Sequence, residues 1–275
     1  MDVIEIIKDA FVFPSQNIQV LLIYVVLSIV AGVLSVGGTL TYALGIVSPE
    51  CFMWGGLACV VAMLIGWVLS GYLISVIKSG IDLDSEVPEF SWWDNFITGF
   101  NNCIVSIVYF IIPAFIVVIA GYLTNIYGNV MVVAQAIVLQ ATQVYMGTST
   151  AFMSDAIAQA LANLAVSLAI TATVAVIVFV IFSFFQTMAQ ARLANTGSLT
   201  EALNVIEAAK DIKRIGIGKV IILVILIIVV AVIVQMILSA IANVVPLLSI
   251  LSLIVTPYLV FFAERAVGLL YSDIA

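Results

Sequence analysis

Residues 220–240 read VIILVILIIVVAVIVQMILSA: twenty-one residues with no charge, and only Gln235 and Ser239 polar. A helix needs roughly 20 apolar residues to cross the hydrocarbon core of a bilayer. This stretch is long enough, and its flanks agree. Lys219 stands immediately before it, and the next charge is Glu264. Four further charge-free runs, 10–49, 51–77, 95–154 and 156–191, are also long enough for a span. Only 8% of the 275 residues are charged and 65% are hydrophobic. A water-soluble domain needs far more polar surface than that.

Apolar length and interruptions predict six spans: Ile18–Thr39, Leu57–Ile77, Cys103–Tyr122, Leu164–Phe185, Val220–Ala240 and Leu247–Gly268. With six spans, Lys8, Lys78, Arg192, Lys210, Lys213, Arg214, Lys219 and Arg265 all fall on one side. The positive-inside rule makes that side cytoplasmic, with both termini inside. Residues 129–146 could form a seventh span, but six of the eight bases would then move outside. The outer segment 123–163 therefore reads as helical structure at the outer face, interfacial or dipping in without crossing. The N-terminus starts acidic and amphipathic, unlike the basic start of a signal peptide, and is expected to belong to the mature protein.

Each pair of spans follows an amphipathic segment expected to lie in the plane of the inner interface: 2–12, 89–101 and 198–214. The first and third share letters. Val3-Ile4-Glu5-Ile6-Ile7-Lys8-Asp9 parallels Val205-Ile206-Glu207-Ala208-Ala209-Lys210-Asp211, with five of seven positions identical, as an internal duplication or two convergent interfacial helices would give. Trp92 and Trp93 suit the headgroup zone, as do Tyr42, Trp54, Tyr122, Tyr127, Tyr145 and Tyr271. The fold class is an all-α integral membrane protein with six transmembrane helices, three cytoplasmic-side in-plane helices and a helical outer-face segment. It forms a single membrane domain, 1–275, organised as 1–80, 81–190 and 191–275.

The chain has no histidine. Ser-His-Asp and Cys-His catalysis, HExxH zinc sites and axial-histidine haem are thereby excluded. Cys51, Cys59 and Cys103 show no CxxC spacing and read as small packing residues. No phosphate-binding glycine motif is present, and a net charge of −7 argues against nucleic acid as a partner. Neither a cofactor nor a metal is expected. The acidic linker Asp82, Asp84, Glu86, Glu89 and Asp94 begins like an EF-hand loop, but Val87 and Trp93 occupy the positions that require glycine and glutamate.

Glu264 and Arg265 lie close to the inner end of span six, where an ionisable side chain is a functional candidate. Glu264 either snorkels to the interface or pairs with Arg192 at the inner end of span four, a candidate ion pair. Gln186, Gln190, Gln235 and Asn163 are expected to hydrogen-bond between helices, and Pro113 and Pro257 to interrupt spans three and six. Lys210, Lys213, Arg214 and Lys219 face the anionic inner leaflet, where each contributes roughly 1 kcal/mol of attraction.

The run Val87-Pro88-Glu89-Phe90-Ser91-Trp92-Trp93-Asp94, with Phe96 and Gly99 after it, resembles the linker of a mostly archaeal family of membrane proteins, domain-of-unknown-function family 4013. Ala189-Gln190-Ala191-Arg192-Leu193-Ala194-Asn195-Thr196-Gly197-Ser198 is similar to that family's small-residue segment. Val87, where leucine is usual, and the long uncharged segment 123–163 depart from the pattern. The resemblance implies a multi-pass membrane fold and carries no activity. The resulting expectation is a non-enzymatic plasma-membrane module that organises membrane lipids or partner proteins. Segment 123–163 would contact a second copy or another membrane protein. The alternative is a transporter or channel for a small neutral or apolar solute.

Overall fold

The structure, a computed structural model, describes residues 1–147 and 155–275. Ten α-helices and two short 3-10 turns account for most of these residues, with no strand among them. The helices are α1 (Val3–Val12), α2 (Ile18–Leu44), α3 (Pro49–Ile81), α4 (Trp92–Leu123), α5 (Ile126–Tyr145), α6 (Asp155–Thr196), α7 (Leu199–Ala202), α8 (Val205–Ile215), α9 (Ile217–Val244) and α10 (Ser252–Tyr271). Six helical stretches are long and apolar enough to cross a membrane: Ile18–Leu44, Pro49–Ile81, Trp92–Leu123, Ile157–Thr196, Ile217–Val244 and Pro246–Tyr271. They correspond one to one with the six expected spans. Residues 129–146, read as a non-crossing helix, fall almost wholly within α5, which is not among the six.

The chain groups into two compact units: Met1–Ser106 with Phe185–Ala275, and Ile107–Phe184. This grouping cuts across the three stretches read from the sequence, because α4 and α6 each pass through both units.

In the first unit, α3 is the common neighbour, and three glycine crossings set its distances. Towards its start, a Cβ on Gly55 would lie 2.3 Å from the Tyr42 backbone nitrogen of α2. At its middle, a Cβ on Gly71 would lie 1.7 Å from the Asn95 carbonyl oxygen, and one on Gly99 would meet the Trp67 carbonyl at 1.7 Å. At its end, a Cβ on Gly268 of α10 would lie 2.1 Å from the Ile77 oxygen. Small residues at helix crossings let backbones touch where lipid supplies no hydrophobic drive for association. Around these contacts Phe13, Tyr24, Tyr72 and Phe261 form a buried aromatic core, with the Tyr24 and Phe261 rings edge to face at 4.9 Å.

Two of the expected in-plane helices take another form. Segment 89–101 is not separate: α4 runs without a break from Trp92 through the expected boundary near Cys103. No proline or capping residue stops it there, and Gly99 serves the crossing with α3. Segment 198–214 is divided into α7 and α8, because the Asn204 side chain accepts from the Glu207 amide and starts a new helix. Pro113 and Pro257 both lie inside continuous helices.

The second unit is a helical hairpin. Phe110 faces Phe179 at 5.6 Å, the Thr124 and Thr171 hydroxyls are 2.8 Å apart, and the Asn129 amide donates to Ser167 at 2.6 Å. As one residue number rises the other falls, so α4 and then α5 run antiparallel along α6. Asn125, in the left-handed region at φ 56°, makes the joint between α4 and α5.

Candidate functional site

The polar chemistry of the first unit gathers where α1, α3, α6, α8, α9 and α10 end or begin. Asp211 of α8 is its most buried carboxylate, 1% exposed. It accepts from Arg192 Nη1 at 2.8 Å, Arg214 Nη1 at 2.9 Å and the Tyr271 hydroxyl at 2.9 Å. Arg192 also donates through Nη2 to the Glu201 carboxylate at 2.7 Å and through Nε to the Glu201 carbonyl at 3.1 Å. A buried guanidinium needs this much company, since desolvation of an unpaired charge costs several kcal/mol. The knot ties α6, α7, α8 and α10 together.

A second knot holds α1. Arg265, 2% exposed, donates to Asp9 at 3.1 Å and to the Ser79 hydroxyl at 3.2 Å. Its guanidinium also lies 4.4 Å above the Phe13 ring, a favourable cation–π distance. The repeated heptad accounts for both knots. Asp9 and Asp211 occupy its last position, and each takes a buried arginine from another helix. Ile6 and Ala208 are also equivalent, and both are fully buried.

The expected Arg192–Glu264 pair is therefore corrected. Arg192 is occupied by Asp211 and Glu201, which lie close by along the chain, and its pairs do not include Glu264. Glu264 has no hydrogen bond or ion pair with any described residue and stands half-buried on α10. Tyr271, expected at the membrane surface, is instead buried against Asp211.

Three of the four bases expected to face lipid carry an acidic partner. Lys210 pairs with Glu207 at 2.5 Å, Arg214 with Asp211 and Glu207, and Lys219 with Asp273. Lys213 has none among the described residues. The hydrogen bond from Lys210 holds the Glu207 carboxyl below its usual range. Burial pushes the Asp273 carboxyl upward, but hydrogen bonds from Lys219 and the terminal amine outweigh it and hold that group low. Trp92 and Trp93 are exposed on the first turn of α4.

Of the four amides expected to bond between helices, Gln186 and Gln190 do so, the Gln235 side chain has no hydrogen bond among the described residues, and Asn163 accepts from Asn129 only through its backbone carbonyl. Gln186 donates to Ser106 at 2.8 Å, Gln190 to Asn102 at 3.2 Å and Asn102 to Ser70 at 2.7 Å, a polar ladder from α6 through α4 to α3. Below it, Asn95 is 2% exposed and its Nδ2 has no acceptor. The acidic linker forms an extended loop anchored by the Tyr72 hydroxyl, which donates to the Pro88 carbonyl at 3.1 Å. No group of three or more potential metal ligands occurs among the described residues, and the three cysteines are free thiols.

Ion pairs, an amide ladder and a π-stacked cation bind helices to one another. None of them places a nucleophile beside a base. The knots hold the two amphipathic helices, α1 and α8, against the ends of the apolar ones.

Searches among curated proteins and among solved structures return no match. The family model described as "Protein of unknown function (DUF4013)" matches residues 54–243, which take in the α3–α4 glycine crossing, the acidic linker and the Arg192–Asp211 knot. The chain belongs to the DUF4013 family.

Proposed function

We propose that this protein is a non-catalytic plasma-membrane module that self-associates through its α5–α6 hairpin and organises lipid or partner proteins around the assembly. The supporting observation is the length of α6. Its 42 residues extend about 63 Å at 1.5 Å per residue. Even at a tilt of 40°, the upper end for membrane helices, the helix stands about 48 Å tall. The hydrocarbon core is about 30 Å thick. The Thr196 end enters the protein's own packing through Leu193 and Ala194, both buried. The opposite end, with α5 beside it, exposes Val132, Ile137, Val138 and Leu139 of the charge-free run 95–154, and Val166 of α6 beyond Asp155. Two helices cannot cover such faces by themselves, and water solvates them poorly. A second copy offers matching uncharged faces rich in alanine, suited to close helix approach.

The basic residues favour placing both termini in the cytoplasm and α1 and α8 at the inner interface. Lys213 and the exposed Trp92 and Trp93 then meet the headgroups. Native mass spectrometry and cross-linking in lipid nanodiscs test self-association. The wild type is expected to form a homo-oligomer, and Val138→Lys with Leu139→Lys to release monomers. A monomeric wild type at physiological density in lipid removes the reading.

A second reading, passage of a small neutral or apolar solute, draws on one observation. A groove lies between α2 and α10 beside Pro257, and a helix-breaking residue at membrane depth can line a transport route. Solute uptake into proteoliposomes above the protein-free rate would favour it.

A further inference from the structure

Along one face of α9, Ala231, Gln235, Ser239 and Asn243 stand four residues apart, the spacing of a single stripe. Together with Met236 and Ala240 they line a shallow cleft of about 550 Å³. Its whole lining belongs to α9, and no other described helix contributes to it. Gln235, Ser239 and Asn243 are all exposed, and none of the three side chains hydrogen-bonds to a described residue.

The position of Gln235 makes that exposure costly. α9 is one of the six stretches long and apolar enough to span. Gln235 lies about 7 Å along the axis from the middle of α9 at 1.5 Å per residue, inside a hydrocarbon core about 30 Å thick. Water does not solvate that depth, and an amide left without a partner there keeps its desolvation penalty. Gln186 and Gln190 avoid it, because Ser106 and Asn102 meet them. No described residue does the same for Gln235.

A second copy of the chain fits this stripe. Copies of a membrane protein insert the same way up, so two α9 helices side by side run parallel with equivalent residues at equal depth. Gln235 then faces Gln235. A primary amide has an acceptor oxygen and two N–H donors, so two amides related by a two-fold axis satisfy each other. Ser239 and Asn243 are self-complementary in the same sense. Ala231 and Ala240 allow close approach of the two backbones. No charge stands between Lys219 and Glu264, so the pairing brings no like charges together. An unrelated helix would need polar groups of its own at the same depths.

We infer that the Gln235–Ser239–Asn243 stripe is a contact between copies of this chain, with two α9 helices parallel about a two-fold axis along the membrane normal and their Gln235 amides hydrogen-bonded across it. The inference rests on the self-association proposed above and adds a face in the other unit to it. Three polar side chains on one helix hold copies only weakly. The α9 pair therefore forms where the α5–α6 contact has already raised the local concentration of partners.

The test places single cysteines in a cysteine-free background, reconstitutes the protein in liposomes at physiological density and reads disulfide-linked dimer after mild oxidation. Ser239→Cys is expected to link. Ile237→Cys, on the far side of the helix and also exposed, is expected to link at least tenfold less, at the level of random collision. Adding Gln235→Leu to Ser239→Cys is expected to lower linking to that level, while native mass spectrometry still finds the oligomer. Gln235→Asn keeps the amide and is expected to keep the link. Equal linking at positions 237 and 239, or undiminished linking with Gln235→Leu, overturns the α9 contact while the oligomer's mass leaves the hairpin contact standing. A monomeric wild type overturns both.

Discussion

Asp211 shows how much one side chain carries when it is buried. It accepts from two arginines and a tyrosine at 1% exposure, whereas Glu207, four residues earlier, pairs with Lys210 at an open surface. The two carboxylates should respond very differently to neutralisation. Asp211→Asn leaves Arg192 with Glu201 alone and is expected to cost about 3 kcal/mol, in line with breaking a buried pair. Glu207→Gln is expected to leave stability at the wild-type value, as for most exposed pairs. Thermal unfolding in detergent, monitored by circular dichroism, compares them. The sequence marked Arg192 and Glu264 as ionisable groups near span ends, which was sound, but not which charges meet. Pairing depends on how α8 folds back beside α6, and a residue pattern contains no such distance. The repeated heptad did hold a clue: two aspartates at equivalent places, each awaiting a buried arginine.

At the scale of a helix, hydropathy was enough to find all six apolar stretches, because a span's length is imposed by the bilayer. It failed where amphipathic and apolar segments adjoin. Trp92 to Asn101 alternates faces like a surface helix, yet nothing between Asn101 and Cys103 stops helix propagation, so α4 is one rod. Likewise Asn204 reads as part of a helix until its side chain is seen capping the next one. Glycines were harder still, since Gly32 and Gly71 look alike in sequence. Gly71 meets the Asn95 carbonyl, and Gly32 meets nothing. Gly71→Leu is expected to separate α3 from α4 and to destabilise by about 3 kcal/mol or more, at or beyond the upper end for overpacking. Gly32→Ala is expected to be neutral or to stabilise by up to about 1 kcal/mol, the difference in helix propensity. Melting curves of the two variants distinguish contact from open space.

For the whole molecule, an even number of spans predicts both termini on one side, and the basic residues predict which side. A cysteine-free background with single cysteines at Ser85, Val47 and Ser272 tests this with a membrane-impermeant maleimide on intact cells. Val47 is expected to label, while Ser85 and Ser272 stay silent until the membrane is opened. Labelling at all three sites in intact cells would discard the six-span orientation. The function was the least legible level. Absent histidine removed whole classes of chemistry, but the α2–α10 groove joins positions over 200 residues apart, and no local pattern announces it.

The second knot also sets a schedule for synthesis. Asp9 belongs to α1 and Arg265 to α10, 256 residues apart. The ribosome finishes α1 long before its arginine exists, and long-range contacts of this kind form late. Throughout translation the first helix stays unlatched, with Phe13 lacking its cation and Ser79 its donor. Only once α10 is made can Gly268 dock against Gly80 and Arg265 reach Asp9 and Ser79. A nascent chain stalled before α10 would leave the Gly80 face of α3 without the backbone it meets in the folded unit.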